Sequence, residues 1–257
     1  MKILPHEEVI CDEQSMVIEN LTKQYANNVV LDSLSLTINT GEIHGILGRN
    51  GVGKTTLIEC AVGLKSFNQG SIKIRGLNIL EDRDKIIKHV GIQPQEANLF
   101  PRLTIMETME LFSSFYGEIL SYHNIVEMLD LDKIKNKRVN SLSTGQKQRL
   151  LVALSLIGNP SLIILDEPTT GIDPQIKQLI WQVLNKMKSQ NKSILLSTHN
   201  MEEAEKICDR ISILHDKKII LTGTPSEIIN KYRKTKNDTL EDVFLLLTGT
   251  TLRGGMD

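Results

Sequence analysis

Long apolar runs are missing from this sequence. Nowhere does an uninterrupted stretch approach the roughly 20 residues needed to cross a bilayer, and LIIL before Asp166 has only the length of a buried strand. The chain alone is therefore expected to be soluble. Its start, MKILPHEEVICDEQS, carries proline and several acids and no apolar stretch of signal-peptide length, so no export signal is expected. Cysteine is scarce too. Cys11, Cys60 and Cys208 are far apart, odd in number and without CxxC pairing, which argues against a disulfide framework or a zinc knuckle and fits a reducing cytosol. Charge of one sign is lacking: 30 Lys+Arg against 31 Asp+Glu leave a formal net charge of -1. No global field then draws the chain to nucleic acid or an anionic membrane, and no nucleic-acid partner is expected. Internal repeats and low-complexity tracts are absent as well.

What is present, over 257 residues, suits one compound domain with an inserted or appended part. From Met16 the pattern reads as strands: MVIENL, then LSLTI with apolar residues alternating against serine and threonine, a turn at Thr40-Gly41, and the apolar run IHGIL. A helix is predicted over Lys54 to Leu64, with Gly63 near its end, then a turn at Asn68-Gln69-Gly70 before the strand SIKIRG. From about Ala97 to Ile157 apolar residues fall at helical spacing, in IMETMELFSSFY, IVEMLDL and QRLLVALSLI, and Thr104 with Glu107 fits a capping box. After Pro160 strand and helix alternate again: SLIILD, a helix over Pro174 to Lys188 capped by Asp173, then SILLST. That alternation predicts a parallel, doubly wound sheet. A short helix at Met201 to Cys208, strands RISIL and KIILTG, a helix opened by Thr224 and Pro225, and the amphipathic segment TLEDVFLLLTG complete the chain.

Gly48 to Thr55, reading GRNGVGKT, lies between a predicted strand and a predicted helix. Glycines at Gly48, Gly51 and Gly53 let backbone amides curl around phosphate oxygens at a helix N-terminus, where the macrodipole also favours anions. Lys54 can bridge the outer phosphates and the Thr55 hydroxyl can hold magnesium. In LIILDEPT, Asp166 stands at the carboxyl end of an apolar strand, where a parallel sheet presents its ligands, and would complete a magnesium site. Glu167 has the reach to orient and deprotonate a water attacking the γ-phosphate. Between these segments, SLSTGQKQRL offers Ser143 as a helix cap and Gly145 as an opening for backbone amides, again an N-terminus able to hold phosphate; a plain capped helix has the same pattern. No NKxD-type element follows, so ATP is the expected nucleotide rather than GTP.

Taken in order, GRNGVGKT, LSTGQ and LIILDEPT resemble the ATP-binding cassette (ABC) family of ATPases, whose signature is typically LSGGQ. The resemblance runs from about Met16 to Gly249. It implies an α/β fold: a P-loop NTPase (RecA-like) core with a mostly parallel sheet, an N-terminal antiparallel β part and an inserted helical subdomain. The implied division is an ATP-binding core at 16–95 and 158–235, a helical signature subdomain at 96–157, and a C-terminal helix and tail at 236–257.

By the same resemblance ATP would be held by Tyr25, stacked on adenine, and by Gly48, Arg49, Asn50, Gly51, Val52, Gly53, Lys54, Thr55 and Thr56. Magnesium would be held by Thr55, Gln95 and Asp166. Glu167, His199 and Gln95 would act on the attacking water and the γ-phosphate. Ser143, Thr144, Gly145 and Gln146 would close the site of a second subunit, with Asp173 at the subunit boundary. Two departures stand out: Thr144 replaces a usual signature glycine, and Gln93 stands where the family often has an aromatic or apolar residue. The implied function is an ATP-hydrolysing, energy-coupling transporter subunit, working as a dimer with a separate membrane-spanning permease, and so cytoplasmic and peripheral on the inner face of the cell membrane. TLEDVFLLLTG resembles the tail of drug-resistance exporters related to those serving ABC-2 permeases, which points to export. A soluble ABC-type ATPase serving cofactor assembly or another non-transport process is the alternative.

Overall fold

The structure, a computed structural model, describes residues 13–95, 97–116 and 122–249. Cys11 and residues 250–257 of the expected C-terminal segment lie outside them.

Two sheets organise the chain. The first is antiparallel, in the order β2-β1-β4-β5, from β1 (Gln14–Tyr25), β2 (Asn28–Asn39), β4 (Gln69–Ile74) and β5 (Leu77–Asn78). The second has the order β10-β9-β3-β8-β7-β6. It comprises β3 (Ile43–Leu47), β6 (Val90–Gln93), β7 (Leu162–Asp166), β8 (Ser193–Thr198), β9 (Arg210–His215) and β10 (Lys218–Gly223). From β9 to β6 every pairing is parallel, and only β10 runs antiparallel at the edge.

The apolar runs of β3, β7 and β8 are buried along their whole length, as expected of parallel strands covered on both faces. Alternate side chains enter different cores. Ile43, Leu47, Ile163, Leu165, Ile194 and Leu196 pack towards the helical side. Ile46, Leu162, Ile164 and Leu195 pack with the antiparallel sheet and α1 (Lys54–Ala61). The strand period of two thus uses one uninterrupted apolar run to build two cores.

The helical side contains α3 (Ile105–Ser113), α4 (Tyr122–Met128) and α5 (Thr144–Leu156). Both halves of the predicted Thr104–Glu107 capping box form. The same core takes in α6 (Pro174–Ser189), α7 (Met201–Ile207), α8 (Pro225–Tyr232) and α9 (Leu240–Thr248). Leu240, Val243 and Phe244 bury the inner face of α9, and Leu247 is half-buried against the same core.

Two local expectations are corrected. Helix α1 stops at Ala61 rather than Leu64, because Gly63 takes a left-handed φ of 70° and the Leu64 amide turns back to the Glu59 carbonyl at 2.8 Å. Gln69 and Gly70 belong to β4, not to a turn: Gln69 pairs with Thr22, and the Asn68 amide donates to the Thr22 carbonyl at 2.8 Å. The short α2 (Arg83–Ile86) and β5 carry too few residues to show a period in the sequence.

Candidate functional site

The segment after β3 forms the loop 48–53 and then opens α1 directly. Gly53, the cap of α1, has φ 112°, and a Cβ there would sit 3.1 Å from Leu31 and 3.2 Å from Val30. Both the conformation and the close approach of β2 demand glycine. The loop borders a cleft of about 410 Å³ lined by Asn50, Gly51, Gly53, Lys54, Thr55 and Thr56, with Gln95 and Glu167 facing them and Val30 closing one side. Val30 had no signal in the sequence; it reaches the cleft through the β1–β2 hairpin. Arg49 is exposed, while Val52 packs against the core beneath.

Lys54 is almost fully buried. Its Nζ donates to the Gly48 carbonyl at 2.8 Å and the Arg49 carbonyl at 3.2 Å, and forms an ion pair with Glu167 Oε1 at 3.1 Å. Glu167 is itself 8% exposed and holds a left-handed φ of 54°, which is costly for a non-glycine residue. Its second oxygen, Oε2, accepts from the Thr170 hydroxyl at 2.6 Å and meets His199 Nδ1 at 2.7 Å. Burial works to raise the Glu167 pKa, but hydrogen bonding from Thr170 and the charges of Lys54 and His199 outweigh it and hold the carboxyl below its ordinary value. Glu167 is thereby kept ionised, as a proton acceptor must be.

Asp166 ends β7 with 1% exposure and hydrogen-bonds the Ser197 hydroxyl from β8. Burial pushes its pKa up, only partly offset by hydrogen bonds from Ser197 and Thr55. The single Thr55 hydroxyl proton is shared with Gln95 Oε1, 3.2 Å from Oγ1. Thr55, Gln95 and Asp166 share a second part of the cleft, about 280 Å³. Hydroxyl, amide carbonyl and carboxylate form an all-oxygen donor set of the kind that fits a hard divalent cation. Among the described residues no three His, Cys, Asp or Glu side chains cluster as a metal site. Magnesium beside a triphosphate needs no such cage, since water and phosphate supply its other ligands.

Other predicted residues stand apart. Tyr25 ends β1, is 41% exposed, and has Lys23 Nζ at 4.6 Å and Lys65 Nζ at 5.6 Å over its ring; it is not among the residues lining the cleft. Ser143 caps α5 in a reciprocal box with Gln146, leaving Thr144 exposed and Gly145 half-buried in the first turn. A Cβ on Gly145 would lie 3.9 Å from Asp173 Oδ2, so the signature turn and the start of α6 adjoin. Asp173 Oδ1 caps α6 by accepting from the Gln175 and Ile176 amides at 3.1 and 3.0 Å. None of Ser143, Thr144, Gly145, Gln146 and Asp173 lines the cleft of its own chain. Gln93, the sequence departure, is 1% exposed at the end of β6, and its Nε2 donates to the Asp166 carbonyl at 3.3 Å. The amide at this position tethers two strand ends, which a purely apolar side chain could not do.

The family model described as ABC transporter matches residues 31–170. Among curated proteins, Nod factor export ATP-binding protein I of Burkholderia lata is 37% identical over 215 residues, covering 82% of this chain and 71% of the relative. The protein of that name from Cupriavidus metallidurans is 37% identical over 220 residues, covering 83% and 72%. Among solved structures, an ATP-binding subunit of an ABC transporter superposes with a TM-score of 0.82 at 26% identity, over 91% of this chain and 99% of that one. A dimeric ATP-binding cassette in a post-hydrolysis state, bound to ADP and Pi, gives 0.74 at 28% identity, over 81% and 98%. Phosphate loop, strand-end carboxylates and similarity over most of the chain thus agree: the chain belongs to the ABC transporter family, as one of its ATP-binding, ATP-hydrolysing subunits.

Proposed function

We propose that this cassette energises export through a separate membrane-spanning permease, working as a homodimer on the cytoplasmic face of the membrane. The names of the relatives support export. Among the described residues no helix is long and apolar enough to cross a membrane, which supports a separate permease. The solved dimeric cassettes support pairing. Two copies related by a two-fold axis would form an isologous pair with two sites, each closed by the partner's signature turn.

The observation that carries the chemistry is the convergence of Lys54, Thr170 and His199 on the single buried carboxylate of Glu167. In this reading Lys54 leaves Glu167 for the phosphates when ATP binds. Glu167 then takes the proton of the attacking water, and His199, on the exposed side of the pair, meets the γ-phosphate. Gln95 orients the water. Thr55, Gln95 and Asp166 would hold magnesium, which would supply charge neutralisation to the bound phosphates. Tyr25 would stack on adenine at the rim.

Gel filtration of Glu167→Gln with ATP tests the assignment. Slow hydrolysis with a stable ATP-dependent dimer is expected, and Lys54→Ala should lose nucleotide binding itself. A Glu167→Gln protein that stays monomeric and turns over normally would overturn it. Pull-down from membranes tests the partner: a co-purifying multi-span permease is the expected result, and a soluble partner in its place would refute transport.

A further inference from the structure

Glu203 has no part in the chemistry above, yet its setting is unusual. It lies in the first turn of α7 with 0% exposure. Its Oε1 accepts two hydrogen bonds, from the Thr169 hydroxyl at 2.7 Å and from Trp181 Nε1 at 2.9 Å. Its Oε2 is buried with no hydrogen-bond partner among the described residues. A half-satisfied carboxylate in a core costs free energy that an apolar residue of similar volume would avoid. Stability alone therefore does not account for it.

Its contacts join three segments that surround the ATP site. Thr169 is 3% exposed in the turn between Glu167 and α6, and its neighbour Thr170 donates to Glu167 Oε2. Trp181 belongs to α6, the helix whose first turn is capped by Asp173. Asn200, which caps α7 by accepting from the Glu203 amide at 3.1 Å, directly follows His199, the other partner of Glu167 Oε2. One buried oxygen thus sets the turn that offers Thr170, the helix that follows His199, and the helix behind Asp173.

We propose that Glu203 is a positioning residue for ATP hydrolysis, holding Thr170 and His199 in register on Glu167 by pinning the Thr169 turn and α6 to the start of α7. The proposal rests on Glu167 being the general base. Glu203 touches neither nucleotide nor water. Its effect is on geometry, so it belongs in kcat and not in ATP affinity, because misplacing a reacting group by about 1 Å can cost up to about a hundredfold in rate.

The test uses the full chain, steady-state ATPase kinetics and the emission of Trp181, the only tryptophan in the sequence. Thr169→Val removes one hydroxyl at nearly constant shape, and Glu203→Ala removes the acceptor. Each should lower kcat at least about tenfold with KM for ATP unchanged. The double variant should be no slower than the slower single, since both break one link. Glu203→Gln keeps an oxygen acceptor and should recover most of the rate. Addition of ATP with magnesium should change Trp181 emission in the parent chain and fail to do so in Thr169→Val, with Trp181→Phe as the blank.

A Thr169→Val protein with parental kcat, a loss confined to KM, or losses that multiply in the double variant would each overturn the proposal. Should Glu203→Ala fail to fold, Thr169→Val still decides. Normal turnover by Glu167→Gln would instead remove the general base on which the proposal stands, so the two failures are distinguishable.

Discussion

Lys54 must surrender a partner before it can serve a phosphate, and that gives a measurable consequence. Its Nζ lies 3.1 Å from Glu167 Oε1, and both side chains are nearly buried, at 5% and 7% exposure. At an effective dielectric of about 20 the gross attraction of such a pair is about 5 kcal/mol, most of it offset by desolvation of the two ions. The net worth of a hydrogen bond to a charged group is about 1.5–3 kcal/mol. In Glu167→Gln the amide oxygen still accepts from Lys54 but without charge, and the repulsion between carboxylate and γ-phosphate is also gone. At least about 1.4 kcal/mol should be released to binding, which is tenfold in affinity. The assay is titration with a non-hydrolysable ATP analogue, at protein concentrations where gel filtration shows monomer, so that dimer closure adds nothing. Binding at least about tenfold tighter than in the parent is expected. Equal or weaker binding by Glu167→Gln would refute the idea that the Lys54–Glu167 pair opposes nucleotide entry.

Two further outcomes follow from side chains outside the cleft. Ser143→Ala removes the α5 cap and should cost about 1 kcal/mol in thermal or urea unfolding; if the signature turn serves a second subunit, dimer ATPase should fall while analogue binding by the monomer is retained, and parallel loss of both would count against a role in trans. Glu42 accepts from the Asn39 amide and side chain at 2.9 Å and faces His44 Nδ1 at 3.0 Å. Burial works to raise its pKa, but these bonds prevail and lower it from 4.5. A carboxyl lowered on folding stabilises the native state above its unfolded pKa and loses that contribution as pH falls through the lower, folded value. Urea unfolding between neutral pH and about pH 3 should show this acid limb in the parent chain and a flatter one in Glu42→Gln, and identical limbs would refute it.

The phosphate loop was legible because its constraints are local: a strand, glycines that allow the turn, and a helix beginning at Lys54 all lie within one stretch of sequence. The caps at Thr104, Ser143, Asp173 and Thr224 were legible for the same reason, each being satisfied within three residues. The two cores were not. A run such as LIILD announces a buried strand, but no property of the run says which face of the sheet receives Ile163 and which Ile164; that depends on helices and strands distant in the chain.

The residues that aim the site were hidden by the same rule. Thr170 sits three positions from Glu167 and still drew no notice, because a threonine in a turn has many ordinary uses. Ser197 meets Asp166 across 31 positions and Glu203 meets Thr169 across 34, contacts created by parallel pairing of β7 with β8 and by the helix that follows. Parallel strands bring their carboxyl ends together at one edge, so Asp166, Glu167, Ser197 and His199 converge there from two strands whose pairing runs to Asp166 and Ser197. The chemistry at that edge was readable as residue types, but its aim depends on side chains whose only distinction is where the sheet puts them. Glu203 is the sharpest case. In MEEAE it is one of three glutamates at a helix start, where acidic residues are commonplace, and only burial against Thr169 and Trp181 separates it from the exposed Glu202 beside it.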